Sequence, residues 1–216
     1  MKIKINLNIF LFLILFIITK QIELYALTML FSLIHEIGHL LMGIVLNYQV
    51  DSFKIIPLGF SIEFKTKIEE YNKKILKTRK IVLSRILIAI SGPIMNLIII
   101  IVLLICKTEN MNLIYSNLII LLFNLVPIYP LDGGRIILNI LKLFIGNNKA
   151  YTYTNLISNV FVIIITAVSS IGIYYYKNIA VLFIIVTLWA LIIKENKKYS
   201  VYHKIYQTID KEINYL

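Results

Sequence analysis

Charge is scarce in this chain. Only 15% of its 216 residues are charged, against 59% hydrophobic. Soluble domains carry about 25% charged residues, so a freely dissolved globular domain is excluded as the first reading. The composition is that of an integral membrane protein. Acidic residues are scarcest: 11 Asp plus Glu stand against 22 Lys plus Arg, a formal net charge of +11. That excess does not make a nucleic-acid surface. The basic residues lie between apolar stretches, where the positive-inside bias of membrane proteins puts them. The single cysteine, Cys106, leaves no partner for an intrachain disulfide. The first apolar run follows Lys2 and Lys4 and ends at Ile17, Ile18, Thr19, Lys20 and Gln21. It shows no small-residue cleavage site, so it reads as a retained anchor. No internal repeat occurs.

What is abundant is apolar sequence in long runs. A spanning helix needs roughly 20 apolar residues. Six segments qualify or nearly do: residues 5–19, 24–46, 81–105, 113–131, 156–174 and 179–193. The expected fold is an all-α polytopic membrane protein with about six transmembrane helices. Lys20, Lys107 and Lys177 fall in alternate connectors, and the other basic residues collect on the opposite side. Both termini are then expected in the cytoplasm. Residues 1–193 form the membrane domain and 194–216 a short cytoplasmic tail. In that tail Val201, Ile205, Ile209 and Ile213 fall at roughly helical spacing. Residues 175–178 read as a tight hairpin between the last two segments. Residues 50–64 are rich in β-branched and aromatic side chains, with Pro57 and Gly59 at a turn. They predict a short membrane-proximal β-hairpin. The charged stretch 65–80 reads as a solvated loop.

Histidine is rare too, and two of the three histidines sit together in the second segment, as His35-Glu36-Ile37-Gly38-His39. Residues four apart lie on one helix face, so both imidazoles can reach one zinc ion. Glu36 lies about 100° round the helix from His35, able to work on water without being a ligand. Ionisable groups inside the hydrocarbon are costly, at least about 2.5–3.5 kcal/mol each, and a divalent cation compensates them. A catalytic zinc site wants three protein ligands and an open position.

Asp132 is the acidic residue in or at the end of another apolar segment, because Glu23 and Glu109 lie in outer connectors. Pro127 and Pro130 break the chain before it, and Gly133 and Gly134 follow. Irregular backbone at membrane depth is tolerated where it is buried or lines a cavity. His35, His39 and Asp132 are therefore the expected metal ligands and Glu36 the expected base. The third segment carries Ser91-Gly92-Pro93-Ile94-Met95-Asn96. Its small residues permit close helix approach, and Asn96 is expected in an interhelical hydrogen bond or, less simply, against substrate.

Three pieces together resemble the site-2 protease family of intramembrane zinc metalloproteases. They are His35 through His39, Gly92-Pro93 with Asn96, and Asn124 through Asp132-Gly133-Gly134. The run from Pro127 to Gly134 and the early histidine motif are most similar to the stage IV sporulation branch. The resemblance implies one zinc per chain and cleavage of a membrane-associated substrate near the cytoplasmic face. In that branch the substrate is a sporulation sigma-factor precursor, and inhibitory membrane proteins are partners. It also implies that Asn124 contacts the scissile peptide, and that the hairpin at Pro57 and Phe60 guides or plugs substrate access. Some members carry a C-terminal nucleotide-sensing CBS domain; none is expected here, and with it no ATP regulation.

A zinc transporter and a non-catalytic membrane-binding protein are the rival readings. A transporter needs further ligands and usually a histidine-rich loop, and only His203 is left over. An intact base and ligand set weighs against an inactive binder.

Overall fold

Residues 2–5 alternate Lys and Ile, a period of two that suits a strand rather than a helix. In the computed structural model, which describes residues 2–57, 59–65, 75–176 and 179–214, they form β1 (Lys2–Ile5). β1 runs parallel to β2 (Val50–Ile56), and β2 pairs antiparallel with β3 (Gly59–Phe64), giving a three-stranded sheet in the order β1-β2-β3. The expected hairpin is there. β1 adds a strand beside it, placing Lys2 and Lys4 in the sheet that precedes α1. Leu58, at the hairpin tip, lies outside the described residues.

The helices are α1 (Asn8–Ile18), α2 (Ile22–Val45), α3 (Ile75–Ile105), α4 (Met111–Leu125), α5 (Asp132–Ile145), α6 (Asn147–Tyr176) and α7 (Ile179–Asn214). The chain is a mostly helical membrane protein. Among the described residues, three helices are long and apolar enough to cross a membrane: 22–45, 79–105 and 147–175. α1 and α4 are apolar but short, with 11 and 15 residues. At 1.5 Å per residue they reach about 16 and 22 Å, less than a hydrocarbon core of about 30 Å.

Three boundaries differ from expectation. α3 starts at Ile75, so the end of the charged stretch is helical. Ile75 to Lys80 contains no Gly or Pro, and straight-chain basic residues continue a helix readily into water. Residues 66–74 of the expected loop lie outside the described residues, as do 177 and 178 of the expected turn. α7 runs unbroken past residue 193, so the tail through Asn214 continues the last apolar segment. α5 fills much of what reads as a connector, as an amphipathic helix with Leu138 and Asn139 buried and Phe144 exposed.

Two apolar clusters frame the centre. Phe12 and Phe16 pack with Tyr25, tying α1 to α2. Ile128, fully buried, packs with Val162, Leu188 and Ile192 of α6 and α7. Ile128 thereby anchors the broken segment that leads to Asp132.

Candidate metal centre

α2 crosses the middle of the molecule against both α3 and β3, so its polar positions must be satisfied inside protein. His35, Glu36 and His39 are all buried, at 1%, 8% and 3% exposure. One helical turn apart, the imidazoles meet at nearly a right angle, with centroids 4.7 Å apart.

Asp132 arrives from the opposite side. α4 ends at Leu125 and α5 begins at Asp132. The backbone between them turns on Ile128 N donating to Val126 O (2.7 Å) and Leu131 N donating to Ile128 O (2.8 Å). Tyr129 N donates to Ser158 Oγ of α6 at 2.9 Å. These bonds satisfy irregular backbone that lipid could not. A side chain at Gly133 would strike Leu125 O at 2.2 Å, and one at Gly134 would strike Tyr129 N at 2.3 Å. Glycine is required there by close approach.

The metal-facing atoms converge. Asp132 Oδ2 lies 2.8 Å from His35 Nε2 and 3.0 Å from His39 Nε2, and the two Nε2 atoms are 3.0 Å apart. The far side of each ring is occupied. His39 Nδ1 donates to Ile88 O at 2.6 Å, with Ser91 Oγ at 3.5 Å. His35 Nδ1 meets Asn96 Oδ1 at 2.5 Å. With protons on both Nδ1 atoms, the Nε2 lone pairs and a carboxylate oxygen point at one spot. Three buried acceptors at that range repel unless a cation lies among them. The donor set, two imidazoles and one carboxylate, fits a divalent transition metal with a position left open. Among the described residues this is the one such group that could hold a metal ion. Gly92 of α3 closes the wall: a Cβ there would lie 2.5 Å from His39 Nε2 and 2.6 Å from His35 Nε2.

Glu36 does not join that triangle. Its Oε2 accepts from Ile62 N of β3 at 2.8 Å, and one turn earlier Ser32 Oγ accepts from Phe60 N at 3.0 Å. The outer edge of β3 is thus held against α2 by two side chains. The Phe60 and Ile62 amides of that edge are therefore both engaged. Pro57 O accepts from Tyr25 OH at 3.0 Å, and Phe60 stacks on Phe53 at 5.5 Å. A cleft of about 360 Å³ touches Ile62, Arg85, Ile88, Tyr129, Arg135 and Asn139 beside the centre. Arg135 also stands 3.6 Å from Asp132 Oδ1.

Peptidase family M50 matches residues 23–112 and 109–168. The chain belongs to peptidase family M50. These are the site-2 proteases, and the matched stretch takes in His35, Glu36, His39, Asn96, Asn124 and Asp132. Stage IV sporulation protein FB of Bacillus subtilis (strain 168) is 27% identical over 128 residues, 56% of this chain and 41% of that protein. A zinc metalloprotease of Methanocaldococcus jannaschii is 30% identical over 137 residues, 59% of this chain and 37% of that protein. The chain thus spans about two fifths of the length of the curated relatives it matches. The solved site-2 protease from Methanocaldococcus jannaschii shares the fold, with a TM-score of 0.66 at 23% identity, covering 89% of each chain.

Of the residues singled out in the sequence, His35, His39 and Asp132 come together, Glu36 stands beside them, and Asn96 joins through His35. Asn124 does not: its Nδ2 turns back to Ile120 O of its own helix at 3.1 Å. Pro57 and Phe60 sit on the hairpin against α2. Ser32, Ile88, Asn117 and the Ile62 amide went unforeseen, because none belongs to a spacing motif.

Proposed function

We propose that this M50 protein is an intramembrane zinc metalloendopeptidase that hydrolyses a peptide bond of a membrane-associated substrate near the cytoplasmic face. The convergence of His35 Nε2, His39 Nε2 and Asp132 Oδ2 within 3.0 Å carries the reading. These three residues would hold the zinc. Zinc bound there supplies Lewis acidity and lets water ionise near neutral pH.

The chain's own groups do the rest. Glu36 takes a proton from the attacking water and passes it to the leaving amine nitrogen, so that water and one peptide bond become a carboxyl and an amine. Before substrate arrives, its Oε2 bond to the Ile62 amide holds the carboxylate beside the centre. The substrate must extend, because a helical peptide bond is shielded by its own hydrogen bonds. The outer edge of β3 offers strand addition. An incoming segment there would take over the Phe60 and Ile62 amides from Ser32 and Glu36. The family pattern implies a further substrate contact from Asn124, whose Nδ2 would have to leave Ile120 O to make it.

Six spans are proposed, from α1, α2, α3, α4, α6 and the apolar start of α7. Residues 1–193 then form the membrane domain and 194–216 a cytoplasmic tail, with both termini cytoplasmic. The relative named for stage IV sporulation supports a role in sporulation, and the family resemblance adds a sporulation sigma-factor precursor as substrate, inhibitory membrane proteins as partners, and a bacterial cell or outer forespore membrane as location.

The purified protein is expected to hold about one zinc per chain. A double variant, His35→Ala with His39→Ala, should hold none; unchanged zinc would overturn the site. Co-expression with membrane-tethered sigma-factor precursors should shorten one of them. Ile62→Pro should slow that shortening while zinc stays bound; unchanged cleavage would remove β3 from substrate binding.

A further inference from the structure

Each imidazole of the centre can face a metal through Nε2 only if its proton sits on Nδ1. For His39 this is settled locally. Its Nδ1 meets Ile88 O, and a backbone carbonyl only accepts. His35 has no such neighbour on Nδ1. It meets the side-chain amide of Asn96 instead. An amide has an accepting and a donating end. Turned over, Asn96 would offer Nδ2, drive the His35 proton to Nε2, and put an N–H where the metal must lie.

The next layer decides which end Asn96 presents. Asn96 Nδ2 donates to Asn117 Oδ1 of α4 and lies 3.5 Å from Phe31 O. Asn117 is an amide too, but its Nδ2 donates to Asn96 O at 3.0 Å. That oxygen is a backbone carbonyl and cannot donate. Polarity therefore runs outward from it. Asn117 must turn Nδ2 to the carbonyl and Oδ1 to Asn96. Asn96 must then turn Nδ2 to Asn117 and Oδ1 to His35. His35 then carries a proton on Nδ1, and its Nε2, 2.8 Å from Asp132 Oδ2, is the end left for a metal. Asn96 and Asn117 are fully buried and His35 is 1% exposed. The order is thus set by the protein groups themselves.

We propose that Asn117 is a positioning residue that sets the His35 tautomer through Asn96, and with it the affinity of the centre for a divalent metal. This rests on reading His35, His39 and Asp132 as ligands. Second-layer partners of metal-bound histidines act in this way, and losing one typically lowers metal affinity about 10- to 100-fold.

The test is nitrogen NMR of the metal-free full chain with labelled histidine in detergent, with zinc affinity measured by chelator competition. The chain has three histidines, so His203→Gln and His39→Gln variants assign the signals. Wild type should show His35 protonated on Nδ1. Asn117→Leu should mix in the Nε2-protonated form and weaken zinc about 10- to 100-fold. Asn117→Ala gives the same readout without added volume where leucine does not fit.

The decisive control is Asn96→Asp. A carboxylate has no donating end, so it needs no neighbour to orient it. In that background Asn117→Leu should leave the His35 proton on Nδ1 and shift zinc affinity by no more than about twofold, the scatter of independent sites. An equal loss of affinity in both backgrounds would show that Asn117 acts by packing and overturn the proposal. So would an unchanged His35 tautomer in Asn117→Leu, or failure of both single variants to fold. The metal reading fails differently, through retained zinc in the His35→Ala, His39→Ala protein.

Discussion

Polar groups are handled in different ways in two halves of this molecule. In α6 and α7 threonine hydroxyls turn back on their own helix, and the longer bonds, Trp189 Nε1 donating to Thr166 Oγ1 and Asn196 Nδ2 to Asn159 Oδ1, join only these two neighbouring helices. Thr154 Oγ1 donates to Ala150 O, Thr166 Oγ1 to Val162 O, and Thr187 Oγ1 to Ile184 O. Among α2, α3, α4 and α5 some also bond locally, as Ser91 and Asn139 do, but those around the histidines reach far along the chain. Asn96 meets Asn117 across 21 residues, His39 meets Ile88 O across 49, and His35 meets Asp132 across 97. The first pattern needs only a helix, so those helices are free to be apolar staves. The second exists only when four elements are placed correctly, so its polarity is tied to the fold and to function. Ser158 is the bridge between the two, with Oγ donating to Thr154 O and accepting from Tyr129 N beside the metal segment.

The sharpest test of that division is chemical. Glu36→Gln keeps shape and can still accept from the Ile62 amide, but cannot take a proton. Cleavage is expected to fall about 10²- to 10⁴-fold, the usual share of a general base, while zinc content and membrane insertion persist. Cleavage at the wild-type rate would break the contrast at its centre.

Next in size is Gly92→Ala. A methyl group 2.5 Å from His39 Nε2 must displace a ligand. Zinc affinity by chelator competition should drop about 10- to 100-fold, comparable to losing a group that orients a ligand. Gly172→Ala, in α6 with open space at its Cβ, should leave affinity unchanged.

A stability pair sharpens the comparison directly. Asn96→Leu strands His35 Nδ1 and Asn117 Oδ1, at about 1–3 kcal/mol for buried groups left unmade. Thr154→Val removes a hydroxyl whose acceptor, Ala150 O, sits in a helical ladder, and should cost less than about 1 kcal/mol. Denaturant titration in one detergent compares them. Equal costs would mean that long-range and local satisfaction do not differ.

The smallest effect lies in the sheet, outside both halves. Burial pushes the Glu63 carboxyl up, but hydrogen bonds from Lys54 and Ser52 and the Lys54 charge outweigh it and hold it below its ordinary range. A lowered carboxylate stabilises the folded state above its ordinary titration range, and that stabilisation fades as pH falls through the lowered one. Amide exchange of β2 and β3 should therefore speed up modestly on acidification, beyond the intrinsic change. Glu63→Gln should abolish that excess, and an identical pH response in both proteins would refute the assignment.

The meeting of His35, His39 and Asp132 is legible in the sequence because a helix converts spacing into geometry. His35 and His39 meet at four residues apart wherever α2 lies, and Asp132 follows from the scarcity of acidic residues in apolar runs. The hairpin is legible from β-branched residues and the Pro57–Gly59 turn. The first strand is also written in the Lys-Ile alternation of residues 2–5, but the apolar run that follows makes those lysines read as flanks.

Composition and local spacing by themselves determined the membrane class, the histidine pair with Glu36 between, and the broken segment before Asp132. The first rests on composition and long apolar runs, and the other two on neighbours within about two helical turns. The tertiary structure alone decided that the Ile62 amide grips Glu36, that Asn124 faces its own helix, and that Asn117 stands behind Asn96. A hydrogen bond requires its two atoms within about 3 Å and aligned. Two groups tens of residues apart meet that requirement only through the packing of whole helices and strands, which no spacing along the chain records.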